Sequence, residues 1–259
     1  MREATATIAP VATERPRRVK RWFYISMATL MIVLHIVAFG PAIIDQSARN
    51  VPLPLTPLVL AHTIVSAGWL LLFLAQATLV ATGRVAVHRR VGLFGALLTV
   101  LFIVVGYLAL LEEARRGFDL SGDLAPRPSG GGAPDPALMA LLWNFLTFGV
   151  LAGAGLLYRN RPAVHKRFML LALLGGLTNT PIAHLVGHWP ALQPWAGIIF
   201  LVSNVVSPSA SAVYDKLSQG RIHPVSLWGA VVVFVSGGVF FAVIQPSAAW
   251  RELTTWLIR

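Results

Sequence analysis

Apolar runs of about 20 residues recur along the whole chain, and about that many are needed for a helix to cross the hydrocarbon of a bilayer. Hydropathy and the turn residues between runs place them at 22–44, 56–81, 91–111, 137–158, 168–187, 195–214 and 225–245. With 56% hydrophobic and only 12% charged residues in 259, the chain reads as all-α: a polytopic transmembrane helical bundle of seven spans. That composition excludes a soluble enzyme, a nucleic-acid-binding domain and a chain that is a disordered tail as a whole. No cysteine is present, so disulfides, thiolate metal sites and cysteine nucleophiles are excluded as well.

The distribution of charge sets an orientation. With the N-terminus inside, Arg2, Arg15, Arg17, Arg18, Lys20 and Arg21 lie in the cytoplasm. Arg84, Arg89, Arg90, then Arg159, Arg161, Lys166, Arg167, then Lys216 and Arg221 join them, making 15 basic residues against six outside. The bias alternates loop by loop, as the positive-inside rule requires, and implies an N-in, C-out, multi-pass protein of a bacterial inner membrane. It also accounts for most of the net charge of +11 through the bilayer and anionic headgroups at the basic loops, with no nucleic-acid partner. Residues 1–21 are expected as a disordered basic cytoplasmic tail before an uncleaved first span, 22–245 as the seven-helix domain, and 247–259 as an interfacial amphipathic helix. The Pro/Gly-rich segment 112–136 is expected as a flexible external connector.

A short repeat crosses two of the basic loops. Arg84-Val85-Ala86-Val87-His88-Arg89-Arg90 and Arg161-Pro162-Ala163-Val164-His165-Lys166-Arg167 share five identical positions, with Arg for Lys at a sixth. A duplicated helical hairpin, spans 2–3 and 4–5, explains the match. Two basic loops of similar composition would be the plainer reading.

Polar residues inside spans mark packed faces or sites. Span 2 carries His62, Ser66, Trp69, Phe73 and Gln76 at intervals of three or four, and span 6 carries Ser203, Ser207 and Ser211. Carboxylates are expected only at span ends, at Asp45, Glu112 and Asp215, which argues against a proton relay, and no span holds a lysine. No catalytic constellation is visible. The histidines remain: an outer set of His62 and His184, with His35 at similar depth, and an inner set of His88 and His165. Each pair could ligate haem iron or another metal, or each could serve helix packing and a basic surface.

The pattern His62…Trp69…Gln76, then Val87-His88-Arg89-Arg90-Val91-Gly92, then His165-Lys166-Arg167-Phe168-Met169-Leu170-Leu171, resembles a family of bacterial polytopic membrane proteins over residues 55–190. That resemblance implies a topology and no particular activity. More remotely the chain is similar to cytochrome b561-type proteins. That likeness implies two b-type haems and electron transfer, with His62, His184, His88 and His165 as ligands. The competing expectations are a small-solute or lipid transporter, with a site near Asn144, Asn179, Asn204 and Ser207, and a structural or assembly subunit. Reporter fusions at Gly131 and at the C-terminus should both report the external side; a cytoplasmic signal from either would overturn the topology.

Overall fold

The computed structural model describes residues 15–45, 47, 54–116 and 139–259. Among them the structure is helical, with no strand. The helices are α1 (Arg15–Ile44), α2 (Pro57–Ala81), α3 (Val85–Arg116), α4 (Leu141–Leu157), α5 (Pro162–Leu171), α6 (Asn179–His188), α7 (Ala196–Gln219), α8 (Pro224–Val239) and α9 (Ala248–Leu257). A π-turn at Ala172–Gly176 joins α5 toward α6, and a second, Phe240–Ile244, ends α8. Among the described residues, six helical stretches are long and apolar enough to cross a membrane: Trp22–Ile44, Pro57–Ala81, Val85–Arg115, Pro162–His188, Pro190–Gln219 and Pro224–Ile244. The protein is therefore a multi-pass membrane protein. The expected fourth span, 137–158, corresponds to α4, an apolar helix of 17 residues; residues 117–138 lie outside the described part, and with them most of the expected connector. The expected tail lies outside it up to residue 14.

Several boundaries differ from the sequence reading. Helix α1 begins at Arg15 rather than after the basic tail, because Pro16 in a first turn is pre-organised for helix and long basic residues are good helix formers. Helix α3 runs from Val85 to Arg116 instead of 91–111. The repeat motifs are thus not loops: His88 and His165 each sit in the first turn of a helix, α3 and α5. The two tight reversals that fold α2 onto α3 and α7 onto α8 use glycine in the left-handed region, Gly83 at φ 79° and Gly220 at φ 74°, where any side chain would be strained.

The core is centred on Trp69, Phe102 and Phe148, whose rings meet at 4.6–4.9 Å, and on the fully buried run Leu170–Leu173. Trp69 lies mid-span because its indole N–H donates to Thr99 Oγ1 at 3.0 Å, whose own proton goes back to Gly95 O at 2.8 Å. The π-turn passes so close to α4 that a Cβ on Gly176 would stand 2.8 Å from Phe148 Cα. At the break before Pro181, which has no N–H to give, the hydroxyls of Thr178 and Ser207 both reach Leu174 O at 2.6 Å. Asn179 and Asn204 exchange amide hydrogen bonds at 3.1 and 3.2 Å.

A carboxylate expected at a span end is buried at the repeat end of the bundle. Asp215 is inside α7, fully buried, and Arg167 of α5 is 1% exposed. The guanidinium grips the carboxylate through two nitrogens, Nε at 2.9 Å and Nη2 closer still. Ser226 Oγ of α8 donates to the same carboxylate at 2.6 Å, and Gln219 Nε2 at 2.9 Å. One buried charge pair thus ties α5, α7 and α8 together. Removing one partner of such a pair strands the other charge and typically costs about 3–5 kcal/mol. Asp215→Asn and Arg167→Gln should each lower the thermal midpoint of detergent-solubilised protein by several degrees, whereas Lys216→Gln, exposed on the same helix, should leave it unchanged. A melt unaffected by Asp215→Asn would show that the pair does not hold these helices.

Candidate functional site

Helices α1 to α4, with Gly176, Leu177 and Thr180, enclose a cavity of about 360 Å³ at the end of the bundle away from the repeat motifs. Helix α1 supplies Ile32, His35, Ile36, Phe39 and Ile43 at helical spacing, and α2 supplies His62, Thr63, Ser66 and Leu70. From α3 come Phe102, Gly106, Ala109 and Glu113, and from α4 Asn144 and Phe145. Ile32 to Ile43 alone spans about 16 Å of helix axis. Ile36 is 62% exposed and Leu71 56%, and Ala67 beside them is exposed too, so the wall reaches the lipid-facing surface between α1 and α2.

The imidazole of His62 is held by rings: Phe102 at 5.5 Å and Phe145 at 5.9 Å between centroids. It fits only because α3 presents Gly106, where a Cβ would lie 2.8 Å from His62 Cε1 and 2.4 Å from Phe145. Ser66 Oγ stands 3.4 and 3.5 Å from the two ring nitrogens, at the outer limit of hydrogen bonding. Its proton goes to His62 O at 2.6 Å. His35 is oriented differently: Nδ1 donates to Met31 O at 2.8 Å, so in the neutral ring Nε2 carries a lone pair. Asn144 donates to Thr180 Oγ1 at 3.2 Å across the same wall. Glu113, 8% exposed, is a second carboxylate inside a helix that sequence reasoning placed beyond the span.

The structure places the four sequence-identified histidines in three settings. His62 lines the cavity. His184 is buried against Phe39, ring centroids 4.6 Å apart, and Phe39 rather than His184 forms the wall. The second imidazole of the cavity is therefore His35. His88 and His165 are brought together at the other end, centroids 6.3 Å apart. His165 Nδ1 donates to Gly155 O at 2.7 Å, satisfying a carbonyl of the last turn of α4. That leaves Nε2 with a lone pair, the form a metal-ligating histidine takes. His88 has the opposite tautomer. The Gln76 amide is oriented by α3, with Oε1 accepting from Gly92 N at 3.0 Å and Nε2 donating to His88 O at 3.2 Å. The same Nε2 donates to His88 Nδ1 at 2.7 Å, so the neutral ring carries its proton on the nitrogen that an iron would need. The two neutral rings are thus a donor beside an acceptor. Among the described residues no group of three or more His, Cys, Asp or Glu is placed to hold a metal ion.

Beside the buried ion pair, His223 caps α8, Nδ1 accepting from Val225 N at 3.1 Å. Burial, and after it the charge of Arg167, push its pKa below the ordinary histidine value.

His35, Glu113 and Asp215 are the groups sequence reasoning undervalued. Signals existed: Ile32, His35, Ile36, Phe39 and Ile43 form one stripe, and Asp215 continues the four-residue spacing of Ser203, Ser207 and Ser211.

Comparison with family models, with curated proteins and with solved structures finds no match to this chain. If His62 owes its place to the missing side chain at Gly106, Gly106→Ala should cost about 1–3 kcal/mol by overpacking and lower the melting midpoint. Gly153→Ala, where a Cβ meets nothing within 4 Å, should not. Equal midpoints for the two variants would refute the close approach.

Proposed function

We propose that the protein binds, and carries or presents, a small lipid-soluble molecule in the cavity between α1, α2, α3 and α4. A single observation supports this reading most strongly. A ring-lined space of about 360 Å³ includes exposed apolar residues, Ile36 and Leu71, in its wall. Ligand sites are mostly apolar concavities with a few convergent polar groups, and this one offers His35, His62, Thr63, Ser66, Glu113, Asn144 and Thr180. We place the protein in a bacterial inner membrane with its N-terminus inside, on the asymmetry of basic residues. We count α4 as a seventh pass, since 17 residues rise about 25 Å, near the lower limit for spanning. The closeness of His88 to His165 supports relating the α2–α3 hairpin to α4 and α5 by duplication.

The transporter and lipid-handling class therefore stands ahead of electron transfer through haem, for which the tautomers at His88 and His165 are mismatched. A structural subunit would have no use for an open cavity lined by imidazoles. Solvent extracts of the purified full chain, analysed by mass spectrometry, should contain a small apolar compound. Ala109→Phe, which places a ring in the cavity, should lose it while keeping the wild-type melt, and Ala109→Leu serves if the larger ring prevents folding. The same preparations should show no Soret band. An identical compound at identical yield in wild type and cavity-filled variants, or a Soret band abolished by His88→Ala, would contradict the reading.

A further inference from the structure

We infer that the cavity selects a lipid-soluble molecule whose head is a flat ring bearing a hydroxyl group, of the phenol class. The inference rests on the cavity being a binding site, and deepens that reading by naming the ligand's chemistry. Along one part of the wall, three polar side chains have already committed a proton to the backbone one turn earlier. His35 Nδ1 donates to Met31 O at 2.8 Å, Thr63 Oγ1 to Val59 O at 3.0 Å, and Ser66 Oγ to His62 O at 2.6 Å. What these three have left to offer is lone pairs: His35 Nε2 and two hydroxyl oxygens. A ligand meeting them must bring a donor. An ether or a ketone at that level would leave acceptor facing acceptor in an apolar space, which is costly.

The rest of the wall narrows the choice. Asn144, with one amide hydrogen on Thr180 Oγ1 at 3.2 Å, keeps another, and the N–H of neutral His62 has only the long contact of 3.4–3.5 Å to Ser66 Oγ. A hydroxyl both donates and accepts, so it satisfies both kinds of partner at once. An ammonium only donates, so even with the Glu113 carboxylate in the wall it would leave the amide N–H of Asn144 facing another donor. The shape of the space favours a ring. Phe39, Phe102 and Phe145 stand in the wall beside the imidazoles of His35 and His62, and flat groups pack well by stacking or edge-on contact with such rings. The apolar remainder of the ligand would lie toward Ile36 and Leu71, where the wall meets lipid.

The test compares two probes of nearly equal shape, 4-octylphenol and 4-octylanisole, by calorimetric titration of the full chain in lipid nanodiscs, with empty nanodiscs as the blank. The phenol should bind roughly tenfold or more tightly than its methyl ether, the discrimination expected when a site's buried polar groups would otherwise be left unpaired. His35→Phe should bring the phenol down to the affinity of the ether while ether binding persists, and His35→Asn, which retains an acceptor, should restore part of the difference. Equal affinity of the two probes for the wild type would overturn the hydroxyl requirement and leave the cavity reading intact. Binding of neither probe would overturn the phenol assignment, and the cavity reading would then stand or fall on the compound extracted from wild type and Ala109→Phe. A preference for the phenol that survives unchanged in His35→Phe would overturn the role of His35 and of the acceptor wall.

Discussion

Inside hydrocarbon no water is present to pair with an N–H, an O–H or a carbonyl, so each must find its partner within the protein. This condition runs through the whole bundle. It bends hydroxyls back onto the helix that carries them, as at Thr63, Ser66, Thr99 and Thr178. It draws Asn179 and Asn204 into a reciprocal amide pair between two helices. It also explains the cavity's chemical character: protons are absorbed by the backbone, and what remains on offer is mainly lone pairs. A selectivity for hydrogen-bond donors then follows from the same economy that lets polar residues live in a membrane helix.

The two ends of the bundle solve different problems. At the repeat end, polar groups are consumed by architecture. Arg167 and Asp215 neutralise each other with Ser226 and Gln219 completing the shell. His165 closes α4, His88 answers Gln76, and His223 caps α8. At the other end, α1 to α4 part enough to leave space, and the imidazoles of His35 and His62 are oriented without being used up. A site that must exchange partners with a ligand needs such uncommitted atoms, and a structural joint cannot tolerate them. The contrast is what separates the candidate site from its surroundings.

Much of the helical layout was legible from the sequence because bilayer thickness sets span length independently of any partner. The pairing of His88 with His165 was legible through the repeat, which is a local signal. What escaped were contacts made at long range. Asp215 looks like a loop residue when read beside Lys216, Gln219 and Gly220; only Arg167, 48 positions earlier, makes its burial possible. Conversely, Arg167 counted as one more cytoplasmic cation, although its counterpart in the first repeat, Arg90, is the one that is exposed. His184 and His62 promised a pair by depth, but depth does not say which face a helix turns inward. The ring of Phe39 stands beside His184 in the wall, and His35, one turn before Phe39 on α1, provides the second imidazole.

Binding requires a lipid-accessible space between His35 and His62, beside the contacts that α1 makes with α2. The most direct test is an experimental density map of the full chain in lipid nanodiscs at side-chain resolution. It should show elongated non-protein density between these two imidazoles, running out past Ile36 and Leu71. A map in which α1 closes onto α2 and α3, with Ile36 and Leu71 side chains filling the space and no density between the histidines, would contradict the account.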